Sequence, residues 1–219
     1  MSLSLFMYHR ILPQDGPENI SSDMFRCQLD YLQSHYRVLG AADVEKFIAG
    51  TIGQGEICAA LSFDDGWCDN LFYAHEELKS RGLSALLAVS AGSLWDGEIR
   101  KSEDLTVFQR SISESQYAAR QGDKRAYCNC AELAEMERSG VWRLEVHGTK
   151  HELGDGGASV LGYPQNGMDM AAFRAFLADD LQNCREKLTK INKSLYSKFN
   201  LGEISNSLYS HSIRNFSSC

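Results

Sequence analysis

The sequence predicts an α/β fold built on a parallel β-sheet. Short apolar segments with strand character alternate with segments whose apolar residues recur at helical spacing. Polar residues that can bind metal or move protons follow directly after several of the apolar segments. Because active sites of parallel α/β folds gather at the carboxyl ends of strands, these polar residues are the first candidates for function.

The chain opens with a strand and a capped helix. The apolar residues 3–7 lead into a polar loop rich in turn residues, which is typical of a buried strand that carries His9 at its end. A serine cap at Ser21 or Ser22 then precedes a helix whose apolar residues recur at helical spacing as far as Tyr36.

A second group of elements follows in the same alternating order. Residues 37–39 have the character of a short strand, and 42–49 that of a short helix ended by a glycine. The apolar residues 58–63 predict a buried strand. A helix is expected over about 69–81, because Gly82 is a good left-handed cap behind it.

The second half of the chain continues the pattern after a long polar stretch. Residues 85–89 and 141–146 predict strands, and 132–139 and about 169–192 predict helices. The stretch between the first of these strands and the next helix, about 92–127, has no clean period and is interpreted as an insertion with some helix.

We therefore expect one domain over residues 3–192 and a divergent tail over 193–219. The tail is rich in serine and has few apolar residues in periodic order, so a disordered tail is one interpretation. A second interpretation is that the reading frame shifts or the chain is truncated near residue 192, so that the last strands of the sheet are missing. Such a chain would leave strand edges and apolar faces uncovered.

Charge and composition narrow the class of partner. The chain has 22 basic and 29 acidic residues and a net charge of −7, which argues against nucleic acid or an anionic membrane as partner. No segment approaches the roughly 18 apolar residues of a membrane-spanning helix. The N-terminus has neither a basic leader nor a small-residue cleavage site, which leads us to expect a cytoplasmic location.

The seven cysteines indicate reduced thiols. Their number is odd, and no two form a C-x-x-C pair. Cys128 and Cys130 form a single C-x-C, a weak metal-binding signal, so ordinary thiols are the preferred interpretation.

Two adjacent carboxylates, Asp64 and Asp65, follow the strand at 58–63. One of them can bind a cation while the other stays free to move a proton. Two other interpretations remain open at this point: a carboxylate that caps the next helix, and a phosphorylated acidic pocket of the receiver type.

Two imidazoles, His147 and His151, follow the strand at 141–146. If the segment makes one helical turn, their spacing places both rings on one face, within reach of one metal ion. No Glu follows His147, so the H-E-x-x-H pattern does not apply. One aspartate and two histidines would make a facial metal triad with open positions for water and a substrate oxygen.

Three motifs resemble those of a known family, the polysaccharide deacetylases with a NodB-homology domain (carbohydrate esterase family 4). The segment Ser62-Phe-Asp-Asp-Gly66 is similar to their [TS]-F-D-D-G motif, and His147-Gly-Thr-Lys-His151 is similar to their H-[ST]-x-x-H motif. Met7-Tyr-His-Arg-Ile11 resembles the M-Y-H-x-I opening of one large branch. The resemblance covers about residues 3–192.

The resemblance implies a distorted (β/α) barrel that removes acetyl groups from N-acetylated sugars of an oligo- or polysaccharide. It implies a divalent metal, with zinc expected, held by Asp65, His147 and His151. Asp64 would be the general base, and His9 could line the substrate pocket or have a structural role. The chemistry of these residue types agrees, because a metal can polarise the amide carbonyl and lower the pKa of an attacking water.

The sequence departs from the family pattern at several points. Gly148 stands where the family usually has Ser or Thr, which is expected to loosen the histidine loop and weaken metal affinity. The insertion is longer than expected and could cover the substrate groove. Neither an R-x-P-aromatic-G segment nor a D-x-x-D-W segment follows the long helix, and His211 is a weak candidate for a late general acid. The alternative function is therefore a truncated or catalytically silent remnant that binds metal or carbohydrate without turnover.

Overall fold

The computed structural model describes residues 2–102, 105–150, 160–165 and 167–191. In chain order the strands and helices are β1 (Ser2–Tyr8), β2 (Arg10–Leu12), β3 (Asn19–Ser21), α1 (Ser22–His35), β4 (Arg37–Leu39), α2 (Ala41–Ile48), β5 (Ile57–Asp65), α3 (His75–Ser80), β6 (Ala85–Val89), α4 (Leu105–Phe108), α5 (Ile112–Arg120), α6 (Cys130–Arg138), β7 (Trp142–Val146) and α7 (Met170–Ile191). A π-helical turn, Asn70–Ala74, leads into α3, and a 3-10 turn, Ala91–Ser93, follows β6.

A parallel sheet of five strands forms the centre of the molecule. Its order is β1-β5-β6-β7, with β4 beside β5, and every neighbouring pair is parallel. Tyr8 lies opposite Phe63, and Val89 lies opposite both Asp65 and Val146. The carboxyl ends of β1, β5, β6 and β7 therefore meet at one edge of the sheet. β2 and β3 form a separate parallel pair.

The core is apolar and packs on both sides of β5. Every residue of β5 after its first is buried, as expected for a central strand of a parallel sheet. Phe63 is fully buried, stacks on Tyr8 at 5.1 Å and meets Phe25 and Trp142 edge to face. This aromatic cluster joins β1, β5, β7 and α1 and thereby fixes the strand ends relative to one another.

Side-chain caps define the starts of three helices. Ser21 accepts the Met24 amide at 3.1 Å and begins α1, as the serine signal predicted. α5 and α6 each begin with a capping box, formed by Ser111 with Glu114 and by Asn129 with Glu132. The predicted insertion, 92–127, thus contains two helices among its described residues, α4 and α5.

The helix predicted over 69–81 is wrong at its start. The chain instead makes the π-helical turn before α3. Two polar side chains at this turn are buried and bound to the loop after β1: Asn70 donates to the His9 carbonyl at 3.2 Å, and Asp69 accepts from Arg10 and from the Ile11 amide. These bonds hold the first turn in a wider geometry than an α-helix has.

The predicted fold class is confirmed, and the barrel is open. Within the described residues β1 and β7 are the outer strands of the sheet, and no further strand closes it. Three apolar side chains are exposed along β1 and at the start of β5: Leu5 (38%), Met7 (39%) and Ile57 (62%). The predicted tail, 193–219, lies outside the described residues.

None of the described helices combines the length and the apolar character needed to cross a membrane.

Candidate active site

Three of the predicted site residues meet at the carboxyl edge of the sheet. Asp64 and Asp65 are the last residues of β5, and His147 follows β7 directly. His147 Nε2 lies 3.5 Å from Asp65 Oδ1 and 3.9 Å from Asp64 Oδ2. The fourth, His151, lies outside the described residues. Residues 83 positions apart thus meet because their strands are parallel and both flank β6.

Asp65 occupies an unusual backbone conformation. Its φ is +72°, the one positive φ among the described non-glycine residues, and Gly66 follows with φ +82°. Two successive left-handed residues turn the chain sharply away from the strand. Such strain concentrates at functional sites, where the surroundings hold a side chain in a required position. Here Trp67 Nε1 donates to Asp65 Oδ2 at 3.1 Å.

Asp64 is a buried carboxyl beside the same imidazole. It is 8% exposed and accepts from Ser62 Oγ at 3.3 Å. Burial raises the pKa of Asp64 above its usual value, while the nearby imidazoles of His147 and His9 oppose the shift. A carboxyl with a raised pKa is a better proton acceptor than an exposed aspartate.

His9 lies next to this cluster. It follows β1 directly, and β1 pairs with β5 through Tyr8 and Phe63, so His9 is at the level of Asp64. Its electrostatic effect on Asp64 agrees with this placement. Its backbone carbonyl is tied to the start of the next helix by Asn70. Whether its ring touches substrate stays a prediction.

The loop after His147 is held by α7. Asp180 is buried and accepts the Thr149 amide at 2.7 Å and the Lys150 amide at 2.8 Å. The Thr149 hydroxyl in turn donates to the Asp180 carbonyl at 3.0 Å. Sequence reasoning missed Asp180. An available signal was an acidic residue on the buried face of α7, which it shares with Phe173, Cys184 and Leu188.

Gly148 has a conformational role in this loop besides the loosening that was expected. Its φ is +100°, a conformation that L side chains rarely adopt, and its carbonyl accepts the Ala91 amide at 2.9 Å. An added Cβ would lie 2.5 Å from Leu161 Cδ1 and 2.9 Å from Asp180 Oδ2. The loop therefore requires glycine at this position, and Asp180 supplies the hydrogen bonds that hold it.

A small cleft of about 120 Å³ opens beside Asp65. Strand-end residues line one side, and residues of the predicted insertion line the other, among them Gln116, Arg120 and Tyr127. The insertion thus forms a wall of the site. A larger cleft of about 760 Å³ lies at the opposite, amino ends of β6 and β7, beside Ser84 and Trp142. It contains none of the predicted site residues, so we place the site at the smaller cleft.

The donors at the strand ends fit a divalent cation. Carboxylate oxygen and imidazole nitrogen are zinc ligands at about 2.0–2.2 Å, so two ligands of one tetrahedral ion stand roughly 3.4 Å apart. The 3.5 Å between Asp65 Oδ1 and His147 Nε2 agrees with that spacing. Among the described residues, no group of three or more His, Cys, Asp or Glu side chains could hold a metal by itself.

The C-x-C segment packs in the core and caps a helix. Cys128 is buried, with its thiol against the Trp67 carbonyl and Met136 Sδ, and the residue between the two cysteines, Asn129, caps α6. The six cysteines of the described residues are free thiols.

Fold and site together define an α/β protein with a carboxylate and imidazole site at the strand ends. Solved structures share this architecture. IcaB from Ammonifex degensii has a TM-score of 0.65 and 22% identity, covering 86% of this chain and 69% of that one. A de-N-acetylase from Aggregatibacter actinomycetemcomitans has a TM-score of 0.65 and 15% identity, covering 86% and 74%. A polysaccharide deacetylase from Bacillus cereus has a TM-score of 0.55 and 18% identity, covering 86% and 47%.

No protein-family model matches the sequence, and no curated protein matches it either. The chain has the fold of a polysaccharide-deacetylase domain, and the resemblance inferred from the motifs is confirmed at the level of the fold.

Proposed function

We propose that this chain is a metal-dependent hydrolase that removes acetyl groups from N-acetylated sugars of a polysaccharide. The observation that carries the proposal is the meeting of three side chains at one edge of the sheet: His147 Nε2 lies 3.5 Å from Asp65 Oδ1 and 3.9 Å from Asp64 Oδ2. One carboxylate and one imidazole are spaced as two ligands of a cation, and a second carboxylate lies beside them. This set serves amide hydrolysis better than helix capping or phosphate acceptance, which leave the imidazole unexplained.

Asp65 and His147 would hold the cation, and His151 is proposed as the third protein ligand. A divalent cation in this position supplies Lewis acidity, which polarises an amide carbonyl and lowers the pKa of water. Zinc suits a mixed oxygen and nitrogen donor set with an open position.

Asp64 would move the proton. Its carboxyl accepts a proton from the water that adds to the amide carbonyl carbon. When the bond between that carbon and the nitrogen breaks, the same carboxyl can return the proton to the amine. The products are acetate and a free amino sugar. Ser62 orients this carboxyl through its hydrogen bond to Asp64 Oδ1.

A saccharide substrate is supported by the comparisons and by charge. Two of the similar solved structures are described as a de-N-acetylase and a polysaccharide deacetylase. An acidic chain with a net charge of −7 accepts a neutral or cationic polymer more readily than an anionic one. The cleft beside Asp65 combines polar side chains with the aromatic ring of Tyr127.

Acetate release from a β-linked N-acetylglucosamine oligomer tests the proposal. The zinc-loaded protein should release acetate, and a chelator should abolish the release. Asp64→Asn should lower kcat by at least about 100-fold, since a general base contributes roughly 10²–10⁴-fold, and should leave zinc affinity nearly unchanged. Asp43→Asn, on α2 away from the site, is the matched control and should behave as the parent protein.

The alternative function, silent binding, has its own signature in this experiment. It predicts that zinc binds and that Asp65→Asn and His147→Ala weaken the binding, but that no acetate appears at any zinc loading. An absence of zinc binding altogether would contradict both the hydrolase and a metal-binding remnant.

A further inference from the structure

The Asp65 carboxylate is oriented by an indole. Trp67 Nε1 donates to Asp65 Oδ2 at 3.1 Å, and the other oxygen, Oδ1, lies 3.5 Å from His147 Nε2. An indole N–H is a donor and never an acceptor, so it can bond only to a lone pair of the carboxylate. The bond therefore fixes the rotation of the carboxylate and turns its second oxygen toward the imidazole.

The indole ring of Trp67 is held in place by its packing. It is fully buried, and the Tyr127 ring stacks on it with centroids 4.5 Å apart and planes 24° apart. Two backbone hydrogen bonds of 2.9 Å flank the pair, from the Cys68 amide to Ala126 and from the Cys128 amide to Gly66. The end of the insertion therefore runs alongside Trp67 and keeps the indole in place.

A cation also lies over the same ring. The Arg10 guanidinium is 5.1 Å from the Trp67 ring centroid. Arg10 is buried and pairs with Asp69 at 2.9 Å, and it donates to the carbonyls of Phe108 and Arg110. Asp69 also accepts the Ile11 amide. A buried, hydrogen-bonded pair of this kind is rigid, because breaking it leaves a charge uncompensated.

We propose that Trp67 is a positioning residue, which aims Asp65 at the metal site through its indole N–H. The inference rests on the proposed function and adds a residue that the sequence motifs did not assign. Asp65 also has a left-handed backbone, and strain of this kind concentrates at functional sites. Mutation of a partner that orients a metal ligand typically lowers metal affinity or activity by about 10- to 100-fold.

A purely structural role for Trp67 makes a different prediction. Trp67→Phe keeps an aromatic ring in the stack but removes the N–H. If the indole acts only by packing, the variant loses stability and its zinc affinity stays that of the parent. If the N–H positions Asp65, zinc affinity falls by roughly 10- to 100-fold, and kcat falls with little change in KM.

Trp95→Phe is the matched control. The Trp95 indole also donates, at 3.2 Å, but to the Tyr127 carbonyl and not to a carboxylate of the site. Isothermal titration of the parent protein and both variants with zinc chloride measures the affinities directly, without any substrate. We expect Trp95→Phe to stay within about twofold of the parent, and equal zinc affinities in Trp67→Phe and Trp95→Phe would overturn the proposal.

A second measurement follows zinc binding in the parent protein and decides the question if Trp67→Phe does not fold. Variants serve there only to assign the signals. The chain has three tryptophans, so its ¹⁵N–¹H spectrum has three indole signals. Trp95→Phe and Trp142→Phe assign two of them and leave that of Trp67. Zinc chloride should move the Trp67 signal and leave that of Trp142, which is bonded to His75, in place. A Trp67 signal that ignores bound zinc would refute the positioning role.

The proposed function and the role of Trp67 can fail separately in these experiments. If the parent protein neither binds zinc nor releases acetate, the proposed function fails and the role of Trp67 fails with it. If the parent binds zinc and Trp67→Phe binds equally well, only the positioning role fails.

Discussion

The deacetylase motif usually has Ser or Thr at the position of Gly148. Replacing Gly148 by Ser should nevertheless lower the stability of this protein and its affinity for zinc. The backbone at Gly148 has φ +100°, and a side chain in such a conformation costs about 1–3 kcal/mol. The new Cβ would also lie 2.9 Å from Asp180 Oδ2 and 2.5 Å from Leu161 Cδ1. Displacing the Asp180 carboxylate weakens its bonds to two backbone amides, each contributing about 0.5–1.5 kcal/mol.

The expected loss in the free energy of unfolding is therefore about 2–5 kcal/mol for Gly148→Ser, and nearly as much for Gly148→Ala. Gly122→Ala separates the two causes. Its φ is +98°, almost the same, but an added Cβ meets no atom within 4 Å. Urea unfolding of the three variants should rank Gly122→Ala as the milder change, by about the strength of the Asp180 bonds.

Zinc titration completes the test, because the loop carries His147. The serine variant should bind zinc more weakly than the parent protein. A Gly148→Ser variant that is as stable as the parent, or that binds zinc more tightly, would refute the role of Asp180 and support the expectation that glycine loosens the loop.

Two further predictions concern buried groups. Cys27 is exposed, whereas burial raises the pKa of the Cys68 thiol to about 12, so iodoacetamide should label Cys27 in the native protein and Cys68 only after unfolding. Peptide mass spectrometry measures this, and native labelling of Cys68 would contradict the packing beside Trp67. Burial raises the pKa of Asp69 from 3.8 to about 6, although Arg10 opposes the shift. The folded protein therefore keeps a proton that the unfolded chain loses, and stability from this group falls as the pH rises from about 4 to about 6. Asp69→Asn should flatten the dependence of urea unfolding on pH in that window, and an unchanged slope would contradict the shift.

The fold was predictable from local patterns. The apolar segments predicted the ends of each long strand to within two residues. They did so because a central parallel strand buries both faces and excludes polar residues. The clustering of Asp64, Asp65 and His147 followed from the rule that the carboxyl ends of parallel strands share an edge. The π-helical turn could not be predicted, because it depends on bonds from Asn70 and Asp69 to a distant loop.

The residues that orient the site were not predictable in the same way. Trp67 has the sequence character of a core aromatic, and its bond to Asp65 depends on the left-handed turn between them. Asp180 acts on an amide 31 residues away, and only the fold brings it to Thr149. The conformational role of Gly148 could not be predicted either, because its backbone conformation, which glycine adopts easily, is known only from the fold.

The insertion couples the wall of the cleft to the support of Asp65. Its residue Tyr127 lines the cleft and also stacks on Trp67, which bonds to Asp65. A substitution of Tyr127 would therefore be transmitted through Trp67 to the Asp65 carboxylate. Gln116 and Arg120, on α5, line the same cleft from a separate helix. A change of Tyr127 therefore alters the cleft and the support of Asp65 together, because one ring serves both.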